Sequence, residues 1–134
     1  MKSPSLVLLL TAGAFVGFAL YGFLRPELVA WPLRYSLPVA AAPGELRAYY
    51  GDFELGFGLF LALSAFVPRY REAGLLAAAL TLSLIAFGRA WWMLQAGAAN
   101  QVLLLSALAE LVFAAANLWA FSHAKRLAPG APER

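Results

Sequence analysis

Four apolar stretches, at residues 5–24, 46–67, 73–96 and 101–122, alternate with segments that hold most of the polar and proline residues. A bilayer's hydrocarbon core of about 30 Å takes about 20 helical residues at 1.5 Å each, which every stretch supplies. The pattern therefore predicts four membrane-spanning helices. Residues 25–45 contain Pro26, Pro32, Pro38 and Pro43, which forbid a long regular helix. Trp31, Leu33, Tyr35 and Leu37 nevertheless keep that segment apolar. It reads as an outer loop at the membrane interface, either a cover for the bundle mouth or a connector anchored by Trp31. Residues 68–72 read as a tight charged turn, and residues 97–100 as a short turn ending in a helix cap at Asn100. Residues 123–134 read as a solvated tail.

Lys2 ahead of an apolar block also resembles a signal peptide. The run is longer than a usual signal core and no Ala-x-Ala site precedes Arg25, which favours a retained helix. Short links between the last three spans imply antiparallel neighbours. The expected fold class is all-α: an integral membrane four-helix up-down bundle, with residues 1–134 as a single domain.

Composition agrees. The chain is 63% hydrophobic and 13% charged, about half the charged share of a soluble domain, with a mean hydropathy of +0.74. The net charge of +3 raises the question of nucleic acid. The cations flank apolar spans and form no basic stripe, so no nucleic-acid partner is expected. One side of the predicted bundle carries Lys2, Arg69, Arg71, Lys125, Arg126 and Arg134; the other carries Arg25, Arg34 and Arg47. The positive-inside rule then places both termini in the cytoplasm, with residues 25–45 outward, periplasmic if the source is a Gram-negative bacterium; the expected location is a bacterial inner membrane.

Charges inside spans are expensive, so each is a candidate for function. Arg47, Asp52 and Glu54 lie at the mouth of the second span, Arg89 near the end of the third, and Glu110 within the fourth. Glu54 and Arg89 match in depth, and Glu110 lies about 15 Å below Asn100. Arg47, Gly51, Glu54, Gly58, Ala62 and Ala65 form a stripe of mainly small residues. Ser106, Glu110, Ala114 and Asn117 form another on the fourth span. The expected ligand-binding residues are Arg47, Glu54, Arg89, Glu110 and Asn117. Asp52 is peripheral, facing the loop or first helix, or serving the helix N-terminus. Burial of the deepest acid, Glu110, favours its neutral form beside Arg89, a usable proton donor. The competing reading is structural: Arg89 bridging two acids would only lock three helices in register.

Other chemistry is not encoded. There is no cysteine, no zinc spacing, no phosphate loop and no dinucleotide fingerprint. His123 has no histidine partner, so no metal or cofactor is expected.

The spacing Arg47-x-x-x-Gly51-x-x-Glu54-x-x-x-Gly58-x-x-Leu61, with Gly88, Arg89 and Glu110, resembles the DoxX-like superfamily of small four-helix membrane proteins. It is most similar to a bacterial branch known only as a domain of unknown function. The resemblance implies a four-helix membrane bundle and a connection to respiratory or redox membrane complexes. Three functions remain open. The first is a non-catalytic cavity, open to the outer face, for a small amphiphile such as a quinone, lipid or amine. The second is an enzyme doing acid/base chemistry on a lipid-like substrate, with Glu110 or Glu54 as the acid/base. The third is an accessory subunit whose partner is another membrane protein or a second copy.

Overall fold

An uninterrupted apolar run makes the first helix, α1 (Ser3–Leu24), with Pro4 near its start, where a missing N–H costs no intrahelical bond. The computed structural model describes residues 3–30, 41–97 and 99–126. A short helix, α2 (Pro26–Ala30), follows α1 at once. Arg25 Nε donates to Glu27 Oε1 at 2.6 Å, which holds the exposed Glu27 carboxyl below its ordinary range. Then come α3 (Ala42–Arg47), a π-helical turn (Ala48–Phe53) and α4 (Glu54–Phe66), which together continue as one helical segment. The long helices α5 (Pro68–Ala96) and α6 (Gln101–Arg126) complete the chain. All regular structure among the described residues is helical.

Three of these helices, α1, α5 and α6, are long and apolar enough to cross a membrane by length and composition. They mark a membrane protein. The expected second span differs. Regular α-helix there amounts to the 13 residues of α4, about 20 Å, with the rest of the segment made by the π turn and α3. The expected outer loop is helical at both ends, in α2 and α3, while Trp31, Leu33, Tyr35 and Leu37 lie outside the described residues.

The expected charged turn at residues 68–72 is instead the start of α5. Val67 alone links the two helices, in extended conformation (φ −101°, ψ 106°). Pro68 then suits the first helical position because its φ is already set. Arg71, on that first stretch, reaches back to the Ala65 carbonyl at 3.5 Å. At the other end of α5, Gly97 takes a left-handed conformation (φ 60°) that ends the helix. Asn100 then caps α6: Leu103 N–H donates to Asn100 Oδ1 at 2.9 Å. α6 continues past the expected boundary at residue 122 as far as Arg126, so the first residues assigned to a tail are helical.

α1 packs along the π turn and α4, and α5 packs along α6; contacts of α4 with α5 and of α1 with α6 close the assembly. Small residues set the spacing. A Cβ on Gly22 would lie 2.3 Å from the Tyr50 carbonyl oxygen, and one on Gly51 would lie 3.0 Å from Phe23 Cα. A Cβ on Gly74 would meet Ser64 Cβ at 2.5 Å. Leu8, Phe15, Leu61, Leu75, Leu82 and Ala114 fill one core between these contacts. Leu59, Leu84, Leu104 and Leu111 point outward and are more than half exposed, the surface of a chain whose solvent is lipid.

Candidate functional site

Arg89 and Glu110 face each other across the antiparallel pair α5 and α6. At 1.5 Å per residue Arg89 sits about 10 Å from the end of α5, and Glu110 about 14 Å into α6. Helical side chains lean toward the N-terminus of their helix, so Arg89 leans deeper, to the level of Glu110. The result is a two-pronged ion pair: Arg89 Nη2 donates to Glu110 Oε1 at 2.7 Å, and Nε to Oε2 at 3.2 Å. The side chains are 26% and 15% exposed. Such a fork fixes orientation as well as distance.

The pair lines a cleft of about 440 Å³ whose other walls come from α1, the π turn, α4 and α6. Glu54, the first residue of α4, also lines it. Among the described residues Glu54 makes no side-chain hydrogen bond and no ion pair. Its helix delivers it there directly after the π turn, a local irregularity often found at functional sites. Tyr50 from that turn lines the same cleft, its ring 6.2 Å from that of Phe18 at an interplanar angle of 80°. Phe15 and Phe113 complete an aromatic wall, and Ser106 adds a hydroxyl.

Three of the five expected site residues are thus brought together: Glu54, Arg89 and Glu110. The other two are elsewhere. Arg47 is exposed and its guanidinium carbon lies 3.7 Å from the centroid of the Phe23 ring, a cation–π contact that ties α3 to the end of α1. Asn117 is fully buried in the core. Its Nδ2 donates to Thr11 Oγ1 at 2.8 Å and to the Phe113 carbonyl at 2.9 Å, while Thr11 donates to the Val7 carbonyl. That arrangement joins α6 to α1 and does not reach the cleft. Asp52 is exposed on the π turn and caps no helix. The small-residue stripe has a different destination too. Gly51 and Gly58 press against α1, at Phe23 and at Phe15 and Val16, leaving Glu54 to turn toward α5 and α6.

Sequence reasoning did not single out Phe15, Phe18, Tyr50 or Phe113 for the cleft. A signal existed for one of them: Phe113 lies three residues after Glu110 and hence on its face of α6. Thr11, an isolated hydroxyl in an otherwise apolar run, likewise signalled a buried partner. Among the described residues no group of three or more His, Asp or Glu is placed to hold a metal ion.

The chain matches, over residues 5–121, the family model described as a domain of unknown function, DUF4345. The chain belongs to the DUF4345 family. The DUF4345 match runs through all the helices and takes in every residue that lines the cleft. No curated protein and no solved structure gave a significant match.

Proposed function

We propose that this member of the DUF4345 family is a four-helix up-down bundle of the bacterial inner membrane, related to the DoxX-like superfamily, whose cleft binds a small amphiphile. The observation that carries the reading is Glu54: an acid with no hydrogen-bond or ion-pair partner among the described residues, on an aromatic wall, beside an ion pair that satisfies itself. A buried or half-buried carboxylate that only held the fold would be expected to have its own counter-ion. A cleft of about 440 Å³ also lies within the range of small-molecule sites, about 300–1,000 Å³. Glu54, Arg89 and Glu110 are the proposed binding residues, with Arg89 and Glu110 as the fixed wall. Arg47 and Asn117 are left out, since both are engaged elsewhere.

A second reading, an accessory subunit held together by its charges, is favoured by one observation. Arg89 and Glu110 satisfy each other with no ligand required. The two readings separate at Ala109, which lines the cleft but carries no charge. Native mass spectrometry of detergent-extracted protein is expected to find a small-molecule adduct on the wild type and none on Ala109→Phe, where the added ring narrows the cleft. An adduct that survives Ala109→Phe, or a wild type that carries none, would leave only the accessory-subunit reading. Topology is tested separately: a reporter fused after Arg134 is expected to behave as cytoplasmic, and a periplasmic signal would reverse the orientation.

A further inference from the structure

The placement of charge in the cleft narrows the ligand further, a step that rests on the amphiphile reading of the same site. Among the described residues three charged side chains line the cleft: Glu54, Arg89 and Glu110. Both prongs of the Arg89 fork that face the acid are occupied by Glu110. The one charge left over is the carboxylate of Glu54. The nearest other cation on this segment, Arg47, is stacked on Phe23 and does not line the cleft. The wall beside Glu54 is aromatic, with Phe18 and Tyr50 meeting as a corner of 80°. A T-shaped contact leaves aromatic face open beside it, and an aromatic face attracts ammonium groups. An aromatic face offers nothing comparable to a neutral carbonyl or a second anion.

We infer that the cleft selects an amphiphile with a single cationic head, an ammonium on an apolar body, and that Glu54 is its counter-ion. A free amine fits better than the head of an amine-bearing phospholipid. The phosphate of such a lipid would bring a second negative charge to a cleft in which the one guanidinium among the described residues is already paired with Glu110. Its paired acyl chains would also exceed about 440 Å³. The specificity is thus a matter of repulsion as well as attraction. Arg89 keeps Glu110 from competing for the ligand's head and leaves Glu54 to set the sign of what enters.

The test holds the tail constant and changes the head. Decylammonium, decanol and decanoate are titrated onto the protein in phosphatidylcholine nanodiscs, with binding read by native mass spectrometry. Wild type is expected to bind decylammonium at least tenfold more tightly than decanol, with decanoate weakest. Glu54→Gln is expected to bring decylammonium and decanol within about twofold of each other while decanol binding stays, and Glu54→Asp to keep the preference, which separates a lost charge from a lost fold. Decanol binding as tight as decylammonium in wild type, or a preference that survives Glu54→Gln, would overturn the cation assignment. If Ala109→Phe still abolished decanol binding in that case, the amphiphile reading would stand without it. If no probe bound in a manner sensitive to Ala109→Phe, both would fall. Exchange of phosphatidylcholine for phosphatidylethanolamine is expected to leave decylammonium binding unchanged; displacement of the probe by that lipid would overturn the free-amine assignment.

Discussion

Arg89→Met is expected to destabilise the protein by about 3 kcal/mol, the lower end of the cost of breaking a buried ion pair by removing one partner. The lower end applies because the Arg89 side chain is 26% exposed. The penalty comes less from the lost bond than from what stays behind. Glu110, 15% exposed, would lose its guanidinium in a cleft that also holds Glu54, which has no counter-ion among the described residues. Removing the second charge should therefore repair most of the damage. The double variant Arg89→Met with Glu110→Gln is expected to lie within about 1 kcal/mol of wild type, since a neutral, well-filled replacement of a buried pair is often close to neutral. Unfolding in mixed micelles, followed by circular dichroism, measures both. A single variant no less stable than the double would show that the pair is solvated and carries little of the fold.

The second large effect is steric. Gly22→Ala is expected to cost about 3 kcal/mol, the upper end for forcing an extra methyl group into a packed contact. Its Cβ would lie 2.3 Å from the Tyr50 carbonyl oxygen. That obstacle is backbone, which cannot rotate away as a side chain tip can. Relief would require the π turn to lift off α1, and the turn carries Tyr50 and leads directly into Glu54, so cleft binding should weaken with stability. Gly17→Ala is the control: a Cβ there meets nothing within 4 Å. It should be neutral or slightly stabilising, by up to about 1 kcal/mol, because alanine favours helix. The same unfolding measurement decides. Equal effects at the two positions would mean that the contact of α1 with the π turn is loose.

Length and apolar run were enough to read α1, α5 and α6 from the sequence, because a span is a property of composition. The cap at Asn100 was equally legible, being local chemistry. So was the meeting of Arg89 with Glu110, since a short turn fixes the depth of both sides of a helical pair. The π turn was not. Ala48–Phe53 is ordinary in composition, and the close approach of this turn to α1 at Gly22 and Gly51 is something no periodicity records. That missing turn is also why the stripe containing Gly51 and Glu54 was read as one face. In the structure Gly51 and Gly58 serve α1 while Glu54 serves the cleft. Asn117 shared the face of Glu110 by spacing alone. Its destination depended on Thr11, far away in the chain.

The distance along the chain between those two residues has a consequence for biosynthesis. Thr11 and Asn117 are 106 positions apart. At several residues per second, α1 waits in the bilayer for many seconds before Asn117 has been made. During that interval Thr11 is already bonded to the Val7 carbonyl in its own helix, so α1 can wait in lipid with its hydroxyl satisfied. Asn117 has the matching local bond, to the Phe113 carbonyl. In both helices the side chain that makes the link is already bonded within its own helix, so joining α1 to α6 adds a partner to groups that did not have to wait bare.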